Sequence, residues 1–262
     1  MSIEVYVVDA FTDRLFAGNP AAVCLLEESL EPDLMQKIAM ENNLSETAFI
    51  VKTEQGYHIR WFTPAVEVAL CGHATLAAAF VIFNYLEKSA QQITFTSKSG
   101  VLKVVRSGEW LILDFPKVSY QSCPENLLIN EALGLNCTEL YKSEDYMIIL
   151  ESEAQIRVLQ PKLEIIAALP SRGLVVTAKG LQADFVSRWF GPQVGVNEDP
   201  VTGSAHCMLA PYWAEKLGKS QLYAEQLSAR LGKVHCEVKA DRVYLKGQAV
   251  LYMQGRLNLD RD

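Results

Sequence analysis

Two short turns in this sequence carry residue types that could do chemistry. Residues 71–75 read CGHAT and residues 200–205 read PVTGSA, and an apolar stretch follows each of them. Both turns predict the start of a buried helix, where free backbone N–H groups and the positive end of the helix dipole attract an anion. A single glycine turn is as often a plain helix start, so it is the pair that favours a binding site for a carboxylate-bearing small molecule.

A histidine and an aspartate stand at these turns. His73 lies in the first turn and is one of four histidines in the chain. The dipole at a helix N-terminus favours the neutral imidazole, so we expect His73 to accept a proton or a hydrogen bond. Asp199 precedes Pro200 at the matching place in the second half and is expected to assist. The alternatives are a core histidine held by the backbone and an acidic turn before a proline.

Glu46 is the third ionisable candidate. It precedes an apolar segment, residues 48–51, that reads as a buried strand. A carboxylate leading into such a strand is expected to be partly desolvated, which suits general acid–base catalysis. The alternative is that Ser45 and Glu46 belong to a surface turn or an edge strand.

Cys71 is a possible catalytic thiol. A thiol beside a helix N-terminus can have a lowered pKa and remove an acidic C–H proton. A racemase with two thiols needs a second cysteine at the equivalent turn, and Cys207 lies too far into the second helix for that. Cys71 therefore either acts as a single base or packs in the core.

Metal and cofactor motifs are the next class to consider. The four candidate ligands Cys71, His73, His206 and Cys207 follow no zinc-binding spacing. The sequence also contains neither the phosphate-binding pattern GxxxxGK[ST] nor the dinucleotide pattern GxGxxG. We therefore expect no metal and no organic cofactor.

Composition limits the possible partners. The 262 residues are 50% hydrophobic and 21% charged, with a formal net charge of -7 and no basic stripe, which excludes a disordered chain and argues against a nucleic acid partner. The first residues lack the pattern of a secretory signal, and the apolar stretch 68–83 is too short to span a bilayer. We expect a cytoplasmic protein with reduced cysteines, no membrane partner and a small anionic metabolite as its ligand.

An internal repeat suggests two similar halves. Residues 60–68 read RWFTPAVEV and residues 188–196 read RWFGPQVGV, and tryptophan is scarce, with four in the chain. The prolines at 116 and 124 mark a connection between the repeats. The repeat predicts an N-terminal half at 1–117 and a C-terminal half at 118–262, with the last residues expected to pack back on the first half.

The residue pattern predicts an α+β fold. Small-residue helices are expected to begin near Gly72 and Gly203, with amphipathic helices at 32–41, 125–133 and 224–231. Strands are predicted at 3–8, 21–26, 47–53, 57–62, 146–151, 173–177 and 184–189.

Six motifs together resemble the phenazine biosynthesis PhzF-like family. They read VDAFT at 8–12, FAGNPAAV at 16–23, NLSETAF at 43–49, RWFTP at 60–64, CGHAT at 71–75 and EDPVTGSA at 198–205. They follow the order of the family across nearly the whole chain. The resemblance implies a diaminopimelate epimerase-like fold, with two homologous domains, each a curled mixed sheet or barrel around a central helix, and an active site between them. It also makes a homodimer plausible.

The resemblance further implies roles for particular residues. Glu46 matches the acidic catalytic residue of the family, and His73 and Asp199 match the groups that assist proton transfer. The positions that match ligand-holding residues are Ser45, Gly72, Ala74, Gly203, Ser204 and Ala205. The cysteine at position 71 is closer to the epimerase relatives than to the isomerase branch, so racemisation stays open.

The resulting functional hypothesis is a cofactor-independent isomerase. A base removes an acidic C–H proton from a small carboxylate-bearing, cyclic amino acid-like metabolite, and an acid returns the proton at another position. The alternatives are an amino acid racemase or epimerase that uses Cys71, and a non-catalytic protein that binds small anions.

Overall fold

The computed structural model describes residues 2–259, which form a mixed α+β structure dominated by strands. The chain divides into two compact units. The first contains the chain up to Asp114 and from Lys246 onwards, and the second is Phe115–Leu245. The residues from Lys246 onwards thus belong to the first unit, whereas the sequence prediction placed them in the C-terminal half. Among residues 2–259, no helix is long and apolar enough to cross a membrane.

The first unit is built mainly from strands, with two α-helices among them. Its elements are β1 (Ser2–Ala10), β2 (Asn19–Leu26), α1 (Pro32–Asn42), β3 (Glu46–Thr53), β4 (Gly56–Phe62), β5 (Glu67–Val68), α2 (Gly72–Val81), a π-helical turn (Ile82–Leu86), β6 (Gln92–Ser97), β7 (Gly100–Ser107), β8 (Trp110–Pro116) and β18 (Ala249–Asn258).

The central strands of this unit are apolar on both faces because a helix packs on each side. Side chains of β1, β2 and β3 share a core with Met35 and Ile38 of α1. Helix α2 packs against the same three strands. Its sequence, GHATLAAAFV, is buried at nearly every position, and its alanines allow the strand backbones to approach closely.

Strand pairing in the first unit alternates between parallel and antiparallel. β2 runs parallel to β3, β3 antiparallel to β4, β4 parallel to β6, and β6 antiparallel to β7. β5 adds to β4 in the antiparallel sense. β1 pairs antiparallel with both β2 and β18, so the last strand of the chain is part of this unit.

The second unit has its own core, formed by residues of its strands and short helices. Its elements are β9 (Gln121–Cys123), α3 (Leu127–Leu133), β10 (Leu140–Lys142), β11 (Tyr146–Ile149), α4 (Glu153–Val158), α5 (Leu163–Ala167), β12 (Leu174–Lys179), β13 (Phe185–Gly191), a 3-10 turn (Pro192–Val194), β14 (Val196–Asp199), α6 (Gly203–Leu217), β15 (Gln221–Gln226), β16 (Gly232–Lys239) and β17 (Arg242–Gly247).

The second unit uses the pairing pattern of the first. β11 runs parallel to β12, β12 antiparallel to β13, β13 parallel to β15, and β15 antiparallel to β16. β14 adds to β13 in the antiparallel sense, as β5 adds to β4. Helix α6 follows β14 as α2 follows β5, so the two glycine turns open the equivalent helix of each unit.

Most of the predicted elements are confirmed, and one helix prediction is wrong. The predicted strands match β1 to β4 and β11 to β13, and buried helices do begin at Gly72 and Gly203. Residues 224–231 do not form a helix, because 221–226 belong to β15. Leu222, Ala224 and Gln226 are buried at alternate positions, which is the two-residue period of a strand.

Candidate active site

Glu46 and His73 form the centre of the candidate site in the first unit. Oε2 of Glu46 lies 3.1 Å from Nε2 of His73, and the two side chains are 15% and 4% exposed. This places a carboxylate and an imidazole in contact where little water reaches them. Such a pair can hold one proton and pass it on.

The fold brings these two side chains together through neighbouring elements. Glu46 is the first residue of β3, where it pairs with Ala21 of β2. His73 is the second residue of α2, which packs against β2 and β3. The backbone N–H and the hydroxyl of Thr75 both donate to the carbonyl of Cys71, so the turn that carries His73 is fixed from within.

The other ring nitrogen of His73 has two neighbours. Nδ2 of Asn19 lies 3.1 Å from Nδ1 of His73, and Sγ of Cys71 lies 3.6 Å from the same atom. Asn19 is the first residue of β2 and is completely buried. Both edges of the imidazole therefore face polar side chains of the first unit.

The contact between Glu46 and His73 leaves hydrogen-bonding capacity unused on both groups. Neither Oε2 of Glu46 nor Nε2 of His73 forms an aligned hydrogen bond within residues 2–259, although the two atoms are close and buried. Buried polar atoms without a hydrogen bond carry a free-energy cost that a bound partner can relieve.

The pKa of His73 corrects the expectation of a neutral imidazole. Burial alone would lower the pKa of His73, but the contact with Cys71 and the negative charge of Glu46 outweigh it. The pKa is therefore raised well above its ordinary value. The neutral imidazole expected from the helix dipole is wrong here because the neighbouring Cys71 and Glu46 side chains favour the protonated ring.

The pKa of Cys71 also differs from the lowered value that the sequence predicts. Burial and the nearby Glu46 carboxylate raise the pKa of the Cys71 thiol to about 11, against the smaller opposing effects of His73 and the Ala74 N–H. The thiol keeps its proton at neutral pH and is not an activated thiolate. Desolvation outweighs the helix N-terminus because the thiol is fully enclosed.

A metal site is one alternative use for this cluster. One ligand-type atom each from Glu46, Cys71 and His73 lies within 4.8 Å of the others. Because the pKa values of Cys71 and His73 are raised, a metal would have to displace a proton from each of them.

The remaining two candidate metal ligands, His206 and Cys207, contact backbone carbonyls at the start of α6. Nδ1 of His206 lies 2.8 Å from the carbonyl oxygen of Thr202, and burial lowers the pKa of His206 to about 4. The Cys207 thiol contacts the Gly203 carbonyl, and burial raises its pKa to about 12. Both side chains belong to the core of the second unit.

Asp199 lies in a buried polar network of the second unit. It is the last residue of β14 and is 8% exposed. Its Oδ2 accepts a hydrogen bond of 2.6 Å from the hydroxyl of Thr202, the residue before α6. Gln226 fixes the same turn, since its Nε2 donates to the Asp199 carbonyl and its Oε1 accepts from the Thr202 N–H.

The predicted ligand-holding residues lie at the starts of three elements. Ser45 is half-buried and directly precedes Glu46 at the start of β3. Gly72 and Ala74 are buried in the first turn of α2. Gly203 and Ala205 are buried in the first turn of α6, and Ser204 between them is half-buried.

The position that corresponds to His73 in the second unit is Ser204 rather than Asp199. Both His73 and Ser204 are the second residue of their helix. Asp199 pairs with Trp189, as Val68 pairs with Trp61 in the first unit. The ionisable groups are thus not arranged in the same way in the two units.

Asn19 is a site residue that the sequence reasoning missed. It stands inside the motif FAGNPAAV, and the available signal is a polar residue at the start of an otherwise apolar strand. Only the fold shows that its amide reaches His73.

Comparisons with known proteins agree with this structure. A family model described as phenazine biosynthesis-like protein, PhzC-PhzF, matches residues 8–255. A protein of Pseudomonas aeruginosa named an uncharacterized isomerase is 51% identical over 261 residues, which are 99% of this chain and 100% of the relative. The crystal structure of a PhzF family protein from Enterococcus faecalis matches with a TM-score of 0.96 and 46% identity, covering 99% of this chain and 100% of that one.

The fold extends to more distant enzymes. A hydroxyproline epimerase from Agrobacterium vitis matches with a TM-score of 0.68 at 8% identity, over 99% of this chain and 93% of that one. At this identity the likeness concerns the fold alone. Together with the full-length match to an isomerase at about half identity, the comparisons place this chain in the phenazine biosynthesis-like PhzF family, as an isomerase.

Proposed function

We propose that this isomerase moves a proton within a small carboxylate-bearing metabolite by acid–base catalysis, with Glu46 as the proton carrier. The observation that supports this most is the buried contact of 3.1 Å between Glu46 and His73, in which neither facing atom has an aligned hydrogen bond within the described residues. A carboxylate next to an imidazolium can receive a proton and release it without any other reactant.

The proposed reaction conserves atoms and electrons. The Glu46 carboxylate takes a proton from a carbon that is acidified by a neighbouring conjugated system, and the electron pair of the broken C–H bond shifts along that system. The Glu46 carboxylic acid, whose proton exchanges with solvent while it is bound to oxygen, then gives a proton to another carbon. His73 stays protonated, because its pKa is raised, and stabilises the negative charge that develops on the substrate.

The groups around the pair support the proposed substrate class. Residues at the start of α2 offer backbone N–H groups next to His73, and such groups bind carboxylates. In a chain with a net charge of -7, positive potential for an anionic substrate must come from local groups of this kind. A cyclic, amino acid-like carboxylate is the substrate class that the family resemblance favours.

For the second unit we propose that Asp199 assists the proton transfer and that residues 203–205 contribute to binding the substrate. The support is the resemblance of residues 198–205 to the family motif, together with the buried hydrogen bond that fixes the Asp199 side chain. The Thr202 hydroxyl holds the Asp199 carboxylate, and Gln226 holds the Asp199 backbone carbonyl.

We also propose that the two units arose by internal duplication. They share the order of parallel and antiparallel pairings described above. The repeated arginines behave alike: Arg60 makes a two-bond ion pair with Glu67, and Arg188 makes one with Glu198. Each arginine also lies over the phenylalanine two residues further along.

Racemisation with Cys71 as the base is the second candidate, and the structure gives it less support. A base must be deprotonated, whereas burial raises the pKa of Cys71 to about 11. The likeness to a hydroxyproline epimerase concerns the fold alone. Isomerisation through Glu46 is therefore preferred.

The experiment that tests the proposal is solvent hydrogen exchange. Enzyme in D2O is incubated with a panel of carboxylates, including dihydro-hydroxyanthranilate, proline and 4-hydroxyproline, and deuterium incorporation at carbon is followed by NMR. Glu46→Gln should reduce exchange by about 100-fold or more, the range for loss of a general acid–base group. Glu41→Gln, an exposed glutamate on α1, is the matched control and should exchange normally.

Two outcomes would contradict the proposal. Exchange that persists in Glu46→Gln would show that another group carries the proton. Calorimetric binding of the same carboxylates without exchange of any of them would favour the non-catalytic binding protein.

A further inference from the structure

Asn19 makes the closest polar contact at the side of His73 that does not face Glu46. Its Nδ2 lies 3.1 Å from Nδ1 of His73, nearer than Sγ of Cys71 at 3.6 Å. Asn19 is completely buried, which is unusual for an asparagine because burial of an amide costs free energy unless the amide is hydrogen-bonded. Such a cost indicates that the amide is kept for a purpose at this position.

The backbone on both sides fixes Asn19 tightly. Asn19 opens β2 and pairs with Ala10 of β1. The preceding Gly18 has a φ of +64°, and a Cβ there would lie 2.1 Å from the Ala10 carbonyl oxygen. Only glycine fits this approach, and it sets the direction in which the chain enters β2. The Asn19 side chain is therefore presented to His73 by a rigid segment.

An amide can form a hydrogen bond with a histidine in either protonation state. In a neutral imidazole with the proton on Nε2, Nδ1 accepts a hydrogen bond, whereas in the imidazolium Nδ1 donates one. The asparagine amide has a donor and an acceptor, and a half turn about its last bond exchanges them. A carboxylate offers only acceptors, and an aliphatic side chain offers neither.

We propose that Asn19 is a positioning residue for His73, whose amide donates to Nδ1 of the neutral ring, so that Nε2 keeps the hydrogen that faces Glu46, and accepts from Nδ1 of the charged ring. This inference rests on the proposed role of His73 as the partner of Glu46. It goes beyond that role, since it assigns which ring nitrogen keeps its hydrogen when the ring is neutral and which side chain decides this.

The other titratable groups near His73 fit this assignment. Glu46 on β3 and Cys71 before α2 are the groups that shift the pKa of His73 within the described residues. Glu46 acts at Nε2, and Cys71 acts at Nδ1 at the greater distance. A thiol is a weak donor and a weak acceptor, so the amide should determine the tautomer.

Two substitutions remove different hydrogen-bonding functions of the amide. Asn19→Asp replaces it with a group that only accepts, which should stabilise Nδ1–H and keep His73 charged to higher pH. Asn19→Leu removes both functions, so that the neutral ring should lose its preference for the Nε2–H tautomer. Asn84→Ala is the matched control, because the Asn84 amide donates to the Phe80 carbonyl in the same unit and does not contact His73.

The test is an NMR titration of protein labelled with 15N in the histidine rings. The signals of His73 are assigned from their absence in His73→Gln. In the wild type and in Asn84→Ala, the deprotonated ring should show a pyrrole-type Nε2 and a pyridine-type Nδ1. We expect a midpoint at least one pH unit higher in Asn19→Asp, and averaged nitrogen shifts, typical of mixed tautomers, in Asn19→Leu.

Unchanged His73 tautomer and midpoint in both folded Asn19 variants would overturn the proposal. If a variant shows no cooperative thermal unfolding, Asn19→Ser takes its place, since its shorter side chain should also lose the tautomer preference. The titration needs no substrate, so its result is independent of the hydrogen exchange test. If Glu46→Gln loses exchange while the Asn19 variants keep the His73 tautomer, the positioning role of Asn19 is wrong and the proposed function stands.

Discussion

Sγ of Cys71 lies 3.6 Å from Nδ1 of His73, at the ring nitrogen that does not face Glu46. Because burial raises the pKa of the thiol to about 11, we expect Cys71 to be unnecessary as a base. Cys71→Ala should keep hydrogen exchange within about threefold of wild type, whereas loss of a general base typically costs about 100-fold or more. Rates of exchange in D2O for the two proteins provide the comparison.

Alkylation gives an independent check on the same thiol. The rate for iodoacetamide at Cys71 follows the thiolate fraction, so it should be slow at pH 7.5 and rise tenfold per pH unit up to about pH 11. Peptide mass spectrometry distinguishes Cys71 from the other five cysteines. Rapid modification near neutral pH that substrate prevents would instead support the racemase alternative.

The raised pKa of His73 predicts how this residue affects stability as pH changes. The unfolded imidazole has a pKa of about 6.5. Since the folded value lies well above it, the interaction with Glu46 and Cys71 contributes fully below about pH 6.5 and is lost as pH rises toward the folded pKa. The difference in unfolding free energy between wild type and His73→Gln should therefore decrease from pH 6 to pH 9 in urea titrations. A difference that increases over this range would contradict the assignment.

The effect of His206 on stability should have the opposite pH dependence to that of His73. Burial lowers its pKa to about 4, so the folded protein resists the proton that the unfolded chain binds at about pH 6.5. Its contribution is complete above about pH 6.5 and is lost as pH falls toward 4, by roughly 3 kcal/mol in unfolding free energy. His206→Gln should flatten this acid limb in denaturant titrations. An equally steep limb in the variant would assign it to other groups.

Asp199 provides a prediction about activity in the second unit. Asp199→Asn keeps the shape of the side chain and removes its charge, so we expect hydrogen exchange to fall by about 100-fold with little change in melting temperature. Thr202→Val removes the hydroxyl that donates to Asp199 and should produce a smaller loss, because the carboxylate remains. Equal, small effects of both variants would assign Asp199 to the structure of the turn alone.

The elements could be predicted from the sequence largely because their residue patterns are strong. Alternating and continuous apolar runs identify β1 to β4, and the glycine turns identify the starts of α2 and α6. The helix predicted at 224–231 is wrong because a short apolar segment fits both the helical and the strand period. Pairing of β15 with β13 makes the beginning of this segment a strand.

Part of the candidate site could be predicted as residues and not as an environment. The sequence indicates Glu46, His73 and Cys71, and the structure brings these three together, but the direction of the pKa shifts at His73 and Cys71 depends on distances that the sequence does not contain. The contact of Asn19 with His73 depends on the packing of α2 against β2, so no local pattern indicates it.

The pairing of β1 with β18 also has a consequence for the order in which the chain can fold. The second unit is one continuous segment, Phe115–Leu245, and its residues leave the ribosome before β18 does. The first unit begins to emerge first but waits for residues 249–258 to reach β1, from the Ser2↔Asn258 pair onwards. The unit that holds Glu46 and His73 thus completes its sheet only after residues 249–258 have been made, so a nascent chain without them would carry this pair in an unfinished scaffold.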